Sequence, residues 1–438
     1  MAQSITSHKS GPVRGQTIVP GDKSISHRSL IFSALATGHS EIVGLLESED
    51  VLATAEALKN LGADIYREGE CWHVTGCGLG GFQQPSAPLD LGNSGTGVRL
   101  LMGAVSGSGI RPGFIGDESL SRRPMARVLD PLRMMGVQPE TDENDTLPLT
   151  LNCPDRLLPI EYTLKVASAQ VKSAILLAGL QAPGVTTIVE PVLTRDHTER
   201  LLDYFGADLT LEPTDTGRTI AIRGETDLTG RSVTVAGDPS STAFLAAAAL
   251  ICPGSELKIQ NILVNETRTG FFKTIEEMGA PIKLENQRLQ CGEPVADLHI
   301  KHGNLSGVEV PEDRAPSMID EYPILAVLSA FANGTTCMKG LKELRVKESD
   351  RLSGTADGLI KCGIPAEIDG DDLIVSGGPV RGGALIDANL DHRMAMSFLT
   401  LGLGSQEPIE VDHTETIGSS FPNYYQLMRD LGADLRIS

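Results

Sequence analysis

The sequence lacks long apolar runs and is poor in aromatic residues. The first shortage argues against a membrane protein, and the second predicts cores of aliphatic side chains. Aromatic residues make up 4% of the 438 residues, with a single Trp, so aliphatic side chains have to fill the cores. The longest apolar run, around residues 243–251, is far shorter than the roughly 20 residues that cross a bilayer. The first ten residues have no apolar core, so neither a signal peptide nor a membrane protein is expected.

Paired cysteines are also absent. None of the seven Cys forms a C-x-x-C pair, and their scattered spacing suits a reducing compartment. Cys71, His73 and Cys77 lie close together, but their spacing matches no zinc motif, so they are interpreted as strand residues. No metal site is predicted.

Positive charge is scarce, with 37 Lys and Arg against 57 Asp and Glu and a formal net charge of −20. Such an acidic chain argues against nucleic-acid binding, which needs a basic surface. Local clusters of Lys and Arg therefore need a reason of their own, such as an anionic ligand.

A repeat is present. An apolar helix-like stretch followed by Gly and a strand-like segment occurs six times, and the glycines lie 69 to 84 residues apart. Glycine after an amphipathic helix is the usual left-handed C-terminal cap. The six glycines are Gly62, Gly136, Gly206, Gly279, Gly363 and Gly432.

A second series of helices runs in phase with the first, each polar at its start and apolar afterwards. Their predicted first residues are Ser24, Ser94, Ser168, Ser240, Asp320 and Asp391. The apolar remainders predict burial, so that only the N-terminal ends meet solvent. Because helix N-termini carry unpaired N–H groups and partial positive charge, converging ends predict an anion site. Basic residues at these ends include Lys23, Arg28, Arg99, Lys172 and Arg393.

Two further segments contain charged residues whose role the sequence alone leaves open. Lys347 and Arg351 are four residues apart in a dense charge run, which predicts one helix face with two like charges and an anion between them. Asp320 is either a plain N-cap or a general base at the mouth of a cleft.

Taken together, these segments resemble the 5-enolpyruvylshikimate-3-phosphate synthase family over essentially the whole chain. The match is closest to the bacterial subgroup often called class II. The motifs that carry it are GDKSISHR (21–28), LGNSGTGVR (91–99), GDESLSRRPM (116–125), SAQVKSA (168–174), GDPSSTAF (237–244), DEYP (320–323), RVKESDRL (345–352) and DHRMAMS (391–397).

The resemblance implies the α/β enolpyruvyl transferase fold, an inside-out α/β barrel of two domains. Each domain would hold three βαβαββ repeats, with helices inside and sheets outside. Residues 21–237 would form one domain with repeats 1–3, and residues 1–20 would join 238–438 in a discontinuous domain with repeats 4–6. The active site would lie in the cleft between them.

The resemblance also implies the reaction. The enolpyruvyl (1-carboxyvinyl) group of phosphoenolpyruvate would pass to the 5-hydroxyl of shikimate 3-phosphate through a tetrahedral ketal, with release of phosphate. This step belongs to aromatic amino acid biosynthesis. A cytoplasmic monomer without cofactor or metal is expected, with these two small molecules as its partners and neither nucleic acid nor membrane.

Site residues are carried over position by position. The implied catalytic residues are Asp320, Glu348 and Lys23. The implied shikimate 3-phosphate contacts are Lys23, Ser24, Arg28, Ser168, Ala169, Gln170, Arg195, Asp320 and Lys347. The implied phosphoenolpyruvate contacts are Lys23, Gly95, Thr96, Arg123, Gln170, Arg351 and Arg393.

One departure and two alternatives accompany the resemblance. Ser419 stands where enteric-type enzymes carry a Lys, so Lys23, Arg351 and Arg393 would have to supply the charge. The sister family that uses UDP-N-acetylglucosamine typically has a Cys in the loop before its R-P segment, and residues 116–123 contain none. A non-catalytic anion-binding repeat protein would leave Asp320 and Glu348 without a role.

Overall fold

The computed structural model describes residues 3–437, which separate by their contacts into two compact units. The central unit comprises Gly21–Ala236 and Leu289–Glu293. The terminal unit comprises Met1–Pro20, Gly237–Arg288 and Pro294–Ser438. Each unit is built from the same mixture of short strands and helices.

The helices and strands are numbered in chain order. The strands are β1 Ile5–His8, β2 Arg14–Ile18, β3 His39–Val43, β4 Asp64–Glu68, β5 Cys71–Thr75, β6 Leu89–Asp90, β7 Gly113–Ile115, β8 Gln138–Glu140, β9 Leu149–Asn152, β10 Glu161–Thr163, β11 Val185–Glu190, β12 Asp208–Pro213, β13 Arg218–Arg223, β14 Ser232–Thr234, β15 Glu256–Leu263, β16 Ile282–Gln290, β17 Glu293–Lys301, β18 Glu309–Val310, β19 Thr335–Met338, β20 Ala366–Asp369, β21 Asp372–Ser376, β22 Leu385–Ile386, β23 Ile409–Val411 and β24 Asp434–Ile437. The α-helices are α1 Lys23–Leu35, α2 Glu49–Asn60, α3 Gly95–Val105, α4 Glu118–Ser121, α5 Ala126–Met134, α6 Ala169–Gly179, α7 His197–Phe205, α8 Pro239–Ile251, α9 Gly270–Glu277, α10 Tyr322–Ala330, α11 Arg351–Lys361, α12 His392–Gly402 and α13 Tyr424–Asp430. Short 3-10 helices cover Glu266–Arg268, Glu312–Ser317, Ile319–Glu321, Lys342–Val346 and Thr414–Ser419.

Within residues 3–437 the strands form six separate four-stranded sheets, one for each predicted repeat. In the central unit the strand orders are β14-β3-β5-β4, β6-β7-β9-β8 and β10-β11-β13-β12. In the terminal unit they are β16-β17-β15-β2, β18-β19-β21-β20 and β22-β23-β1-β24. A sheet such as β10-β11-β13-β12 contains one parallel pair joined through α6 and two antiparallel pairs, which is the predicted βαβαββ unit.

Three repeats are completed by a strand from a distant part of the sequence. Strand β2 pairs in parallel with β15, β14 pairs in parallel with β3, and β1 inserts between β23 and β24. The six-repeat α/β architecture is therefore confirmed. The sheets are individual four-stranded sheets, and strand pairing among the described residues does not join them into a closed barrel.

The six glycines that mark the repeat all adopt the left-handed conformation. Their φ angles lie between 83° and 108°, and each follows the first helical series and precedes a strand. A side chain is disfavoured at such angles because Cβ crowds the following carbonyl, which explains why glycine recurs at this point of every unit.

The second helical series is buried, as predicted, but half of its starts lie elsewhere. Helices α3, α6 and α12 are capped by Ser94, Ser168 and Asp391, at the predicted residues. The other three predictions were wrong by one to two residues: Asp22 caps α1, Asp238 caps α8, and Glu321 immediately precedes α10. In the first two cases an Asp lies two residues ahead of the predicted Ser, and the carboxylate accepts the backbone N–H.

The core of each unit is aliphatic, in keeping with the shortage of aromatic residues. Helices α8 and α10 are buried along their whole length, whereas strands such as β3 alternate between buried and exposed residues. Among residues 3–437, no helix is long and apolar enough to span a bilayer.

Candidate active site

The start of α1 places Lys23 and Ser24 at the surface of the central unit. The Asp22 side chain accepts the N–H of Ile25 at 2.8 Å, which fixes the first turn. The Lys23 ammonium lies 2.5 Å from Asp50 Oδ2, at the start of α2. Asp50 therefore holds a basic side chain at a helix N-terminus, where the helix dipole opposes it.

Arg28 lies one turn further into the same helix and is buried. Its Nε donates to Thr198 Oγ1 at 2.7 Å, Nη2 to Ser173 Oγ at 2.9 Å and Nη1 to the carbonyl of Ser24 at 2.9 Å. Burial, with a smaller contribution from Arg195, lowers the pKa of Arg28 to about 10. These bonds join the N-terminal halves of α1, α6 and α7, so the three helices meet at one place.

The N-terminus of α3 joins this group through Gln170 on α6. Gln170 Nε2 donates to Thr96 Oγ1 at 2.9 Å, and its Oε1 accepts from Arg99 Nη1 at 2.9 Å. Arg99 also donates to the carbonyl of Gly95 at 3.2 Å. The predicted residues Gly95, Thr96 and Gln170 are therefore brought together, and Arg99 orients the amide that links them.

Two guanidinium groups, those of Arg99 and Arg123, lie beside Gly95. Arg123 Nη2 donates to Asn93 Oδ1 at 2.7 Å, and a Cβ on Gly95 would lie 3.0 Å from Arg99 Nη1 and 3.1 Å from Arg123 Nη1. Burial, together with Arg123 and Arg127, lowers the pKa of Arg99 to about 10. Like charges held this close favour an anion beside Gly95.

Lys172 does not belong to this basic face. Its ammonium is fully buried, 2.8 Å from Glu190 Oε1 and 2.8 Å from Glu199 Oε1. Counting Lys172 among the anion-binding residues was wrong, because it lies beyond the first turn of α6 and pairs with internal carboxylates. Ser168 and Ala169 are half-buried at the start of that helix.

In the terminal unit, one buried guanidinium organises the charged residues. Arg351 is 0% exposed, and its Nε and Nη2 lie 2.8 and 3.2 Å from the two carboxylate oxygens of Asp391. Nη1 lies 3.2 Å from Asp320 Oδ1, and Nη2 lies 2.7 Å from Glu348 Oε2. Although burial opposes its charge, Glu348, Asp391 and Asp320 raise the pKa of Arg351 above its usual value.

Glu348 lies at the accessible side of this network. Its side chain is 36% exposed, so the carboxylate can meet a ligand. Desolvation raises its pKa, but Arg351 and His392 outweigh that contribution and hold the pKa of Glu348 well below its usual value. Glu348 is therefore ionised and a poor proton donor in this state, and the contact with Arg351 that lowers its pKa also weakens it as a base.

The predicted helix face shared by Lys347 and Arg351 was wrong. Helix α11 begins at Arg351 with Asp350 as its cap, and Lys347 lies in extended backbone before it. The anion between the two cations is the carboxylate of Asp320, whose Oδ1 is 3.5 Å from Lys347 Nζ and 3.2 Å from Arg351 Nη1. Asp320 precedes α10 without capping it, so the N-cap interpretation fails.

Arg393 is positioned by a second set of groups on the same face. Its Nη1 donates to the carbonyl of Asp320 at 3.4 Å and lies 3.6 Å from Glu321 Oε1. Glu321 is buried against Ser240, and burial raises the pKa of Glu321 even though Arg393 and Arg268 oppose the change. The predicted residues Asp320, Lys347, Glu348, Arg351 and Arg393 thus form one connected cluster.

His392 and Ser419 lie beside this cluster. Ser419 Oγ is 3.2 Å from His392 Nδ1 and also donates to the carbonyl of Thr416 at 2.8 Å. A neutral hydroxyl therefore stands where the resemblance expects a Lys. Burial, reinforced by Arg393, lowers the pKa of His392 to about 4, so this imidazole is neutral near pH 7.

We expect His392 to make unfolding of the terminal unit pH-dependent. The unfolded imidazole has a pKa of 6.5 and the folded one about 4, so the unfolded chain binds more protons between these values. Stability is therefore fully present above pH 6.5 and falls by about 3 kcal/mol as pH drops to 4. Denaturant unfolding of wild type and His392→Gln between pH 7 and 4 measures this, with the half-exposed His299→Gln as control. An equally steep slope in His392→Gln would contradict the assignment.

Residues outside the predicted set also belong to these clusters. Asp391 and Glu321 were not predicted as site residues, and Arg99, which was noted among the basic residues at the helix N-termini, was not assigned a substrate contact. Arg99 follows Gly95 by four residues, a spacing that places both on one helix face. Asp391 gave no such signal, because its bidentate partner Arg351 is forty residues away.

Comparisons with known proteins agree with this architecture. The family model described as EPSP synthase (3-phosphoshikimate 1-carboxyvinyltransferase) matches residues 7–428. A 3-phosphoshikimate 1-carboxyvinyltransferase of Rhizobium johnstonii is 54% identical over 439 residues, covering 99% of this chain and 97% of that protein. The protein of the same name from Afipia carboxidovorans is 55% identical and covers 97% of this chain and 96% of its own length.

Solved structures give the same assignment. An EPSP synthase from Acinetobacter baumannii superposes with a TM-score of 0.91 at 41% identity and covers 100% of both chains. The enolpyruvyl transferase NikO from Streptomyces tendae shares the fold, with a TM-score of 0.80 at 20% identity over 100% of this chain and 99% of its own. From its repeats, its charged clusters and these matches, the chain belongs to the EPSP synthase (3-phosphoshikimate 1-carboxyvinyltransferase) family.

Proposed function

We propose that this chain transfers the enolpyruvyl group of phosphoenolpyruvate to the 5-hydroxyl of shikimate 3-phosphate and releases phosphate. The observation that carries the proposal is the Asp320–Arg351–Glu348 cluster, where one buried guanidinium holds two separate carboxylates. Addition and elimination each need a proton to move at a defined atom, and two fixed carboxylates can serve two different atoms.

Both substrates are anions, and both proposed sets of contacts contain several Lys and Arg residues. The proposed contacts of shikimate 3-phosphate are Lys23, Ser24, Arg28, Ser168, Ala169, Gln170, Arg195, Asp320 and Lys347. The proposed contacts of phosphoenolpyruvate are Lys23, Gly95, Thr96, Arg123, Gln170, Arg351 and Arg393. The convergence of α1, α3, α6 and α7 supports the first set and the guanidinium groups around Gly95 support the second.

In the addition step, Asp320 accepts the proton of the 5-hydroxyl as its oxygen attacks C2 of phosphoenolpyruvate. The electron pair of the C2–C3 double bond takes a proton at C3, which gives the tetrahedral ketal. Because Arg351 keeps Glu348 ionised, Lys23 is the better proton donor for this step.

In the elimination step, the C2–O bond to phosphate breaks and a proton leaves C3, which restores the double bond. The ionised Glu348 is the proposed acceptor of that proton. Fixed positive charge on Lys23, Arg123 and Arg393 stabilises the departing phosphate. Direct contact between Arg351 and phosphoenolpyruvate would require Asp320 or Glu348 to give up its place on the guanidinium.

We also propose that the chain acts as a monomer in the cytoplasm. Seven unpaired thiols are compatible with a reducing compartment, and all of the proposed chemical groups are supplied by one chain.

The decisive test is release of phosphate by the purified chain. With phosphoenolpyruvate and shikimate 3-phosphate together, we expect continuous phosphate release and formation of the enolpyruvyl ether, detected by mass spectrometry. With phosphoenolpyruvate alone, release should stay at the level of an enzyme-free control. Turnover with UDP-N-acetylglucosamine in place of shikimate 3-phosphate would assign the chain to the sister reaction, and absence of turnover with either acceptor would favour a non-catalytic role.

A further inference from the structure

Two histidines and a glutamate share an exposed face of the first sheet of the central unit. In β3 the odd-numbered residues His39 and Glu41 face outward, since the strand alternates between exposed and buried positions. Strand β5 runs antiparallel beside it and places His73 directly opposite Glu41. Cross-strand pairing thus brings His39 and Glu41 to His73, which was interpreted from the sequence only as a strand residue.

The ligand atoms of these three side chains lie close enough to share one ion. His39 Nε2 is 3.2 Å from His73 Nδ1, and one ligand atom from each of His39, Glu41 and His73 lies within 4.8 Å of the other two. Zinc binds imidazole nitrogen at about 2.0–2.1 Å, so two nitrogens of a tetrahedral site are about 3.3 Å apart. The observed separation of the two imidazole nitrogens is close to that value.

The imidazole rings are held in place by stacking. Tyr66 on β4 lies opposite His73, with ring centroids 4.9 Å apart and planes inclined by 16°. His39 packs on the other imidazole at 5.3 Å and 21°. Ligands on paired strands with restricted side chains lose little freedom when an ion binds, which favours affinity.

We propose that His39, Glu41 and His73 form a binding site for a divalent transition-metal ion such as Zn²⁺, with water completing the coordination. Imidazole and carboxylate together suit Zn²⁺ and its neighbours in the first transition row better than Ca²⁺ or Mg²⁺, which prefer oxygen ligands alone. None of the three residues is a proposed substrate contact. The ion would join β3 to β5, and the inference stands independently of the proposed function.

A second cluster with similar composition does not support a metal. Asp196, His197 and Glu293 are buried together, but Arg200 Nε lies 2.8 Å from Asp196 Oδ2 and 3.9 Å from Glu293 Oε2. A cation there would face a fixed guanidinium that already neutralises both carboxylates.

The test is titration of the full-length chain with Zn²⁺ alone, after removal of metal by a chelator. Competition with a chromogenic zinc indicator gives the affinity and stoichiometry, and ¹⁵N-histidine NMR identifies the ligated rings. We expect one equivalent of Zn²⁺ to shift the resonances of His39 and His73. The variants His39→Ala and His73→Ala should each weaken binding by about 100-fold, and Glu41→Gln by about tenfold.

His299 serves as the matched control. It pairs with a single carboxylate at 2.8 Å and belongs to none of the candidate metal clusters among the described residues, so His299→Ala should retain wild-type affinity. Thermal unfolding without metal checks that each variant is folded. Zinc binding of wild-type strength in the double variant His39→Ala/His73→Ala would overturn the proposal. So would wild-type NMR spectra in which neither ring responds to Zn²⁺, because the 3.2 Å contact would then be a hydrogen bond only.

Discussion

Arg351→Met is expected to lower kcat/KM at least about a thousandfold and the free energy of unfolding of the terminal unit by about 3–5 kcal/mol. The guanidinium is 0% exposed and contacts Asp391, Asp320 and Glu348. Methionine has a similar length but cannot neutralise any of them. Removing one partner from a buried ion cluster leaves uncompensated charge, which is more costly than the loss of the ion pair itself.

The activity loss has a separate cause from the stability loss. Asp320 and Glu348 would repel one another without the cation between them, and the pKa of Glu348, now held low by Arg351, would rise. Both proposed proton acceptors would then be misplaced or protonated. Arg351→Lys keeps the charge but not the bidentate contact with Asp391, so it should recover part of the stability and less of the activity.

Measurement combines steady-state phosphate release with denaturant unfolding of the same preparations. Arg381→Met is the matched control, because that guanidinium is 73% exposed and lies 4.0 Å from Glu407; its removal should cost less than about 1 kcal/mol. If Arg351→Met were as stable as this control, the three contacts would contribute little to the fold. If it retained wild-type kcat/KM, Arg351 would have no part in catalysis.

The repeat was predictable because it rests on local chemistry. A left-handed glycine after a helix is required by the backbone at that point, so Gly62 and Gly432 mark equivalent positions without any knowledge of the sheets. The completion of three sheets by β1, β2 and β14 could not be read from periodicity, because short strands carry no information about which distant strand they pair with. Only the resemblance to a family predicted that a distant segment would complete a sheet. It did so for residues 1–20, which contain β1 and β2, and not for β14.

The same division applies to the candidate site. The motif around Gly95 and Thr96 was noted from local sequence, and the structure joins it to Gln170 seventy-four residues later. In contrast, a charge run such as 345–352 suggests a solvated helix, because burial of Arg351 depends on Asp391 from another repeat. Long-range ion pairs of this kind have no signature in a single sequence.

Asp320→Asn is expected to lower kcat by about 10²–10⁴-fold while changing the affinity for either substrate only a few fold. Asparagine keeps the shape of the side chain, and its Oδ1 can still accept from Lys347 and Arg351, which lie 3.5 and 3.2 Å away. It cannot take up the proton of the 5-hydroxyl. The variant therefore separates proton transfer from binding.

Three measurements distinguish the possible roles of Asp320. Calorimetric titration with shikimate 3-phosphate reports binding, single-turnover phosphate release reports the chemical step, and a pH–rate profile reports the base. Asp371→Asn is the control, since Asp371 pairs with Arg345 at 3.1 Å and has no proposed role in the reaction. A kcat equal to that of wild type would remove Asp320 from the mechanism. If affinity instead fell as far as kcat, the carboxylate would act by holding Lys347 and Arg351 in place. The proton would then have to leave the 5-hydroxyl by another route, and Glu348, the carboxylate nearest to Arg351, would be the candidate acceptor.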